Sequence, residues 1–281
     1  MSLLTIGQRV QRAIETECSA IKAGNVHPHA SFRDLSHQHF VKAANAIGQA
    51  IDLNIEQSVG QLAFRSVQAM MDTVGTNTSL GTILLIAPLA VATYQVANDR
   101  DGTDSLHERV KEVLGSLKAE DSTDIYAAIC TAKPGGLGNS ISMDVRESAP
   151  ENIMEAMRIA AAWDDIALQY VSDFELVFAI ARRIESKYTS GLTQFDAIRC
   201  VQIELLSERV DSLIARKRGH AFAKQVQAQA EEVIASGPFG SAEYVAAWHR
   251  FDHNMRDDEH RSNPGTLADL IAASLFLRPT I

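Results

Sequence analysis

Apolar residues recur at intervals of three and four along most of the chain, and that period predicts helices. Ile6, Val10, Ile14, Cys18 and Ile21 follow it, with Gly24 placed as the stop. Ser36 stands where a cap would open a helix carrying Phe40, Ala44, Ile47 and Ile51. Asn54, with Gln57 three residues on, predicts another start, running through Val59, Leu62 and Val67 to about Val74. Gly75, Thr76, Asn77 and Thr78 interrupt the pattern. The run 80–92 that follows is the most apolar in the chain; it contains Gly81, Thr82 and Pro88 and falls short of the roughly 20 residues that span a bilayer. It reads as a buried helix.

Further helices are predicted over 106–117, 122–131, 151–170, 173–188, 194–215, 220–235 and 242–255. Ser148 and Glu151 form a capping-box pattern for the third of these. Asn263 and Pro264 cap a last helix bearing Leu267, Leu270, Ile271 and Leu275. The segment Lys133-Pro134-Gly135-Gly136-Leu137-Gly138 cannot continue a helix and predicts a loop to about residue 148. No strand alternation lasts beyond a few residues, no solenoid period is present, and no linker divides the chain. The expected fold is all-α: a compact multi-helix array forming one domain over residues 4–281.

Composition narrows the class. Of 281 residues, 46% are hydrophobic and 22% charged, which is globular usage; aromatics at 6% favour close-packed helices over a β-sandwich. A net charge of -9 disfavours broad binding to nucleic acid or anionic membrane. Cys18, Cys130 and Cys200 are far apart, lack metal spacing, and read as reduced core or near-core thiols. With no charged-then-apolar leader at the N-terminus, a soluble, cytoplasmic protein is expected.

Four polar segments lie at helix ends between apolar stretches: 22–34, 75–78, 211–219 and 263–269. Glycine there lets backbone N–H groups approach a ligand, and helix N-termini favour anions. Lys22, Arg216 and Arg218 are candidates to neutralise phosphate, and Asp34 and Asp269 to bind magnesium or act as a base. No Gly-x-x-x-x-Gly-Lys-Ser/Thr loop occurs, which disfavours ordinary phosphoryl transfer of that kind. If these segments form a site, they converge on one cleft. Each also has a plainer reading. Asp34 can serve a helix start, Asn77, Thr78 and Asn263 can be caps, and Arg216 and Arg218 can complement a helix C-terminus. His249 and His253 share a helix face, and with Asp257, Asp258 and His260 nearby they suggest a metal site whose remaining ligand is not identifiable. Of Asp164 and Asp165, one can face solvent while the other coordinates magnesium.

The segments also carry a family resemblance. Lys22-Ala23-Gly24-Asn25-Val26-His27 followed by Asp34 is similar to the Lys-Pro-Gly-x-Val opening of the triphosphoribosyl-dephospho-CoA synthase family. Gly75-Thr76-Asn77-Thr78 with Gly81 resembles its Gly-x-Asn-Thr-x-x-Gly motif. Asp211 with Arg216 and Gly219 resembles its Asp-x-x-x-x-Arg-x-x-Gly segment, and Asn263-Pro264-Gly265-Thr266-Leu267-Ala268-Asp269-Leu270 its Asn-Pro-Gly-x-x-Ala-Asp-Leu ending. The motifs occur in family order across nearly the whole chain. Ala23 replaces the usual proline and His27 the aspartate of citrate-lyase-associated members, and the Lys133-Pro134-Gly135-Gly136-Leu137-Gly138 loop with Asp164-Asp165-Ile166-Ala167 resembles a divergent branch of the family.

The resemblance implies transfer of the triphosphoribosyl group of ATP to the 2′-hydroxyl of 3′-dephospho-CoA, with adenine released and Mg²⁺ as cofactor. It implies Asp34 and Asp269 as catalytic residues near the ribose and acceptor, and Asp34, Asp164 and Asp269 as metal ligands. Lys22 and Arg216 fall to phosphate oxygens, Asn77 and Asn263 to orienting the nucleotide, and Asn25, His27, Gly75, Thr78, Gly219 and Gly265 to the remaining binding surface. The partners are then ATP and dephospho-CoA or a related acceptor, without nucleic acid or membrane; a homodimer is compatible with the sequence. The alternatives are a paralogous ribosyl-type transferase acting on another cofactor precursor, such as a pterin one-carbon carrier, motivated by His27; a metal-dependent phosphohydrolase using the His249 cluster; and a non-catalytic helical scaffold.

Overall fold

Thr5 opens the first helix with a capping box: its hydroxyl accepts the Gln8 N–H at 3.1 Å, and the Gln8 side chain accepts the Thr5 N–H at 3.0 Å. That helix begins a computed structural model describing residues 4–99, 105–134, 145, 147–256 and 261–278. The described residues form fourteen helices and no strand. In chain order they are α1 (Ile6–Ser19), α2 (His37–Asn54), α3 (Val59–Val74), α4 (Leu80–Asn98), α5 (Leu106–Gly115), α6 (Ala119–Ala132), α7 (Ile153–Ala160), α8 (Asp165–Val171), α9 (Glu175–Thr189), α10 (Gln194–Glu208), α11 (Ser212–Arg218), α12 (His220–Ala235), α13 (Ala242–Met255) and α14 (Gly265–Leu277).

Two helices without a polar stripe, α4 and α14, pack on each other at the centre. Around them α1 packs on α2, α2 on α3 and α3 on α6, while α14 also touches α1, α9 and α10. Leu85, Ile86 and Leu89 of α4 and Leu270 and Ile271 of α14 are wholly buried. Pro88 inside α4 has no N–H to give the Leu84 carbonyl one turn earlier. The buried Tyr170 hydroxyl fills that vacancy, donating to Leu84 O at 2.6 Å and tying α8 to α4. α4 runs 19 residues, longer than the apolar run suggested, and meets the length and composition of a membrane span; most of its length is buried inside the fold.

The helical class stands, but several ends differ from expectation. α1 stops at Ser19, short of Ile21, because Ala20 turns extended and the Lys22 ammonium takes the carbonyls of Glu17 and Ala20. Asn54 closes α2, donating back to Ala50 O, and Ser58 caps α3 by accepting the Gln61 N–H. The helix predicted over 151–170 is two, α7 capped by Asn152 and α8 capped by Asp164, each side chain accepting a backbone N–H two residues on. The one predicted over 194–215 is also two, divided where Asp211 accepts the Ile214 N–H and caps α11. α9 starts after Asp173 and Phe174, both at positive φ, where the wholly buried Phe174 ring anchors the turn. Cys18 and Cys200 are buried free thiols, but Cys130 is exposed. Of the loop predicted after Lys133, residues 135–144 and 146 lie outside the described residues.

Candidate active site

Glycine at position 75 ends α3 in the left-handed conformation, with φ of 70°, and sends the chain into Thr76, Asn77 and Thr78. Asn77 Oδ1 accepts the Leu80 N–H at 3.0 Å and so caps α4. Asp269, in the second turn of α14, reaches the same helix start. Its Oδ1 accepts the Thr82 N–H at 2.9 Å and the Thr82 hydroxyl at 2.5 Å. Burial pushes the Asp269 carboxyl up to about 7, the Thr82 bonds opposing and Glu17 adding to the rise.

Asp211 fastens α11 to α14. Its Oδ1 accepts the Ile214 N–H at 3.0 Å and its Oδ2 the Leu267 N–H at 2.8 Å, so one carboxylate caps two helices. Burial pushes this carboxyl up to about 6, against those two bonds. At the far end of α11 the Arg216 guanidinium pairs with Asp164, whose other oxygen caps α8. Two residues on, Arg218 turns elsewhere, its guanidinium 3.9 Å from the centroid of the Phe222 ring.

The loop between α1 and α2 is held by side chains from distant helices. Gln202 of α10 accepts the Ala23 N–H at 2.9 Å and donates to Ala23 O at 2.8 Å. Asn25 donates to Asn263 Oδ1 at 2.6 Å, which joins this loop to the start of α14. Gly24, at φ of 71°, leaves no room for a Cβ: Met255 and Pro264 atoms would lie within 3.0 Å of it.

These segments enclose a cavity of about 590 Å³, within the range of small-molecule sites. Asn25, Asp34, Gly75, Asn77, Thr78, Asp164, Arg216, Asn263, Gly265 and Asp269 all line it, so segments separated by up to some 240 positions meet as expected. The first turns of α4 and α14 face it, bringing the positive ends of two helix dipoles. Arg216, Lys217 and Lys133 add cationic charge, while α6, α7 and α8 supply an apolar wall that includes Tyr126, Met157 and the half-exposed Trp163. An anionic group joined to a less polar one suits such a two-sided space.

Besides Arg218, three expected residues do not line the cavity. Lys22, assigned to phosphate oxygens, is 0% exposed and ion-paired to Glu17 at 2.9 Å. His27, assigned to binding and to reading the acceptor, is buried in its loop, with Nδ1 accepting the His29 N–H and Nε2 3.1 Å from the Arg256 guanidinium. Burial, then Arg256, pushes its pKa down to about 4. Gly219, at φ of 87°, forms the hinge between α11 and α12. The three acids read as metal ligands share the cavity wall, but among the described residues no three His, Cys, Asp or Glu side chains group closely enough to hold a metal. That applies equally to His249 and His253, and Asp257, Asp258 and His260 lie outside the described residues. Asp252, in the same stretch, instead accepts the Gly24 N–H and pairs with Arg256. Asp165 does not line the cavity; burial raises its pKa.

Sequence reasoning passed over Glu17, which is 6% exposed and lines the cavity. The signal available was an acid on the apolar face of α1, among Val10, Ala13, Ile14 and Cys18. It also quoted Asp211 only as part of a motif, although an Asp followed by a new helical turn is a cap pattern.

A family model described as ATP:dephospho-CoA triphosphoribosyl transferase matches residues 4–280, nearly the whole chain. Among curated proteins and solved structures, nothing matches it.

Proposed function

The chain belongs to the ATP:dephospho-CoA triphosphoribosyl transferase family, and we propose that the cavity between α4, α8, α11 and α14 is where it carries out that transfer. The protein is a transferase that moves the triphosphoribosyl group of ATP to dephospho-CoA. The balance of atoms fixes the rest. The bond from ribose C1′ to adenine breaks, and its electron pair leaves with adenine. A new bond joins C1′ to an acceptor oxygen, whose proton must be taken up.

The observation that carries the site is the meeting in one cavity of Asp269, Asn77 and Asn263, at the starts of two helices, with Arg216 from the end of α11. Asp269 is the base in this reading. Its carboxyl, pushed up to about 7, is poised to accept a proton near neutral pH, and Oδ2 is left over from the Thr82 bonds. Arg216 and the positive ends of α4 and α14 hold the triphosphate. Asn77 already spends its Oδ1 on Leu80 N, so its amide N–H₂ is what it offers a nucleotide.

Magnesium fits as a companion of the triphosphate rather than as an ion in a protein cage. It binds through one or two carboxylates plus phosphate oxygens, and Asp34 on the cavity wall supplies such a carboxylate. When bound, the ion neutralises phosphate charge. ATP and dephospho-CoA are intracellular nucleotides, which supports a cytoplasmic site of action.

The test is incubation with ATP, Mg²⁺ and dephospho-CoA followed by chromatography. Equal amounts of adenine and of an acceptor heavier by one triphosphoribosyl group are expected. ADP or AMP in place of adenine would overturn the reading.

A further inference from the structure

Lys22 has 0% of its surface exposed, and every contact of its ammonium belongs to the last turns of α1. Nζ lies 2.9 Å from Glu17 Oε1, 2.7 Å from Glu17 O and 3.4 Å from Ala20 O. The two carbonyl contacts are hydrogen bonds and the carboxylate contact is an ion pair. The lysine therefore reaches neither solvent nor cavity; what it does is set the charge and direction of one carboxylate. That carboxylate lies on the wall of the cavity that also holds Asp269, Asn25 and Thr82.

A buried ion pair is poor value for stability, because desolvating two charges offsets most of their attraction. A carboxylate fixed by a buried ammonium on a cavity wall suits a different task. Departure of adenine leaves positive charge on C1′ and the ribose ring oxygen, and a fixed anion there stabilises the transition state more than the neutral ground state. Burial and then Glu17 push the Cys18 thiol up to about 12, and Glu17 adds to the rise at Asp269.

We propose that Glu17 is a catalytic residue of the transfer: held in place by its ion pair with Lys22, its carboxylate faces the ribose and stabilises the cation that forms as adenine leaves. Glu17 stays non-covalent, the C1′–N electron pair leaves with adenine, and the acceptor oxygen supplies the new pair. The division of labour is that of two carboxylates around a glycosidic bond, with Asp269 handling the proton and Glu17 the charge. This inference rests on the proposed placement of the transfer in this cavity.

The experiment pairs turnover with binding of two probes, ATP and a cationic iminoribitol 5-triphosphate whose ring nitrogen carries the positive charge. Glu17→Gln leaves Lys22 buried without a counter-charge and is at risk of unfolding, so the double variant Glu17→Gln with Lys22→Met, which removes both charges, is made beside it. In a folded variant, kcat for adenine release falls roughly 10²- to 10³-fold, and affinity for the cationic probe falls at least about ten-fold more than affinity for ATP. Equal losses for both probes, or turnover within about three-fold of wild type, would overturn the assignment. So would a wild-type protein that binds a neutral carbocyclic analogue as tightly as the cation, a measurement that needs no variant. Wild type that yields no adenine at all rejects the transfer reading itself, whereas adenine release without preference for the cation rejects only Glu17.

Discussion

A β-carbon at position 81 would sit 2.2 Å from Oδ2 of Asp269, well inside contact distance. Gly81 thus sets how closely the start of α4 approaches α14, and so where Asp269 stands relative to Thr82. Gly81→Ala is expected to displace the carboxylate while leaving the two helices folded. Misplacement by about 1 Å at a reacting group can cost roughly 100-fold in rate. Adenine release should therefore fall about that far, with an unchanged helical circular dichroism spectrum; activity near wild type would remove Asp269 from the chemistry.

Asp269 also predicts a pH profile. As a base with its pKa raised to about 7 by burial, it is mostly protonated and inactive in acid. kcat/KM should rise with pH through about 7. In Asp269→Asn that acid limb should vanish along with most of the rate. An unchanged limb in the variant would assign the titration to another group.

Asp211 predicts a stability profile of definite sign. Its pKa moves from 3.8 to about 6 on folding, so the native state holds the proton more tightly than the unfolded chain. The contribution is complete below about 4 and is lost as pH rises through about 6. In thermal melts, wild type should therefore lose ground relative to Asp211→Asn between pH 4 and 7, whatever the constant offset from the missing cap. A pH-independent difference between the two would contradict the shift.

Arg216 is paired with Asp164 on the cavity wall, which holds its fork in place for phosphate oxygens. Arg216→Ala should raise the KM for ATP roughly 10- to 100-fold, and Arg216→Lys should recover only part of that, since an ammonium lacks the planar fork. Isothermal titration with ATP and Mg²⁺ checks both; equal affinities in all three proteins would exclude the contact.

Trp163 lines the cavity at 49% exposure, whereas Trp248, the second tryptophan of the chain, is buried at 4%. Saturating ATP or dephospho-CoA should shift or quench the fluorescence of the exposed indole. The change should disappear in Trp163→Phe. A signal retained in that variant would report on Trp248 and place the ligand elsewhere.

Periodicity of three and four is local information, and it was enough for the all-helical class, for most helix positions and for the four polar segments at their ends. Local capping chemistry was legible as well, though easily misplaced: Asn54 and Ser58 are both good caps, and Ser58 holds the Gln61 N–H. What no local pattern contains is the partner. Asp211 divides a predicted long helix because its second oxygen is taken by Leu267, 56 positions on. Gly81 is glycine because Asp269 stands against it. Lys22 looks like a phosphate ligand in a motif until α1 is seen to end beneath it, where its ammonium meets Glu17 and two carbonyls instead. His27 is drawn off by Arg256 in the same way. The chain itself determines which residues stand at helix ends; only the packing of α4, α11 and α14 decides which of those ends face one another, because burial and charge pairing depend on neighbours remote in sequence.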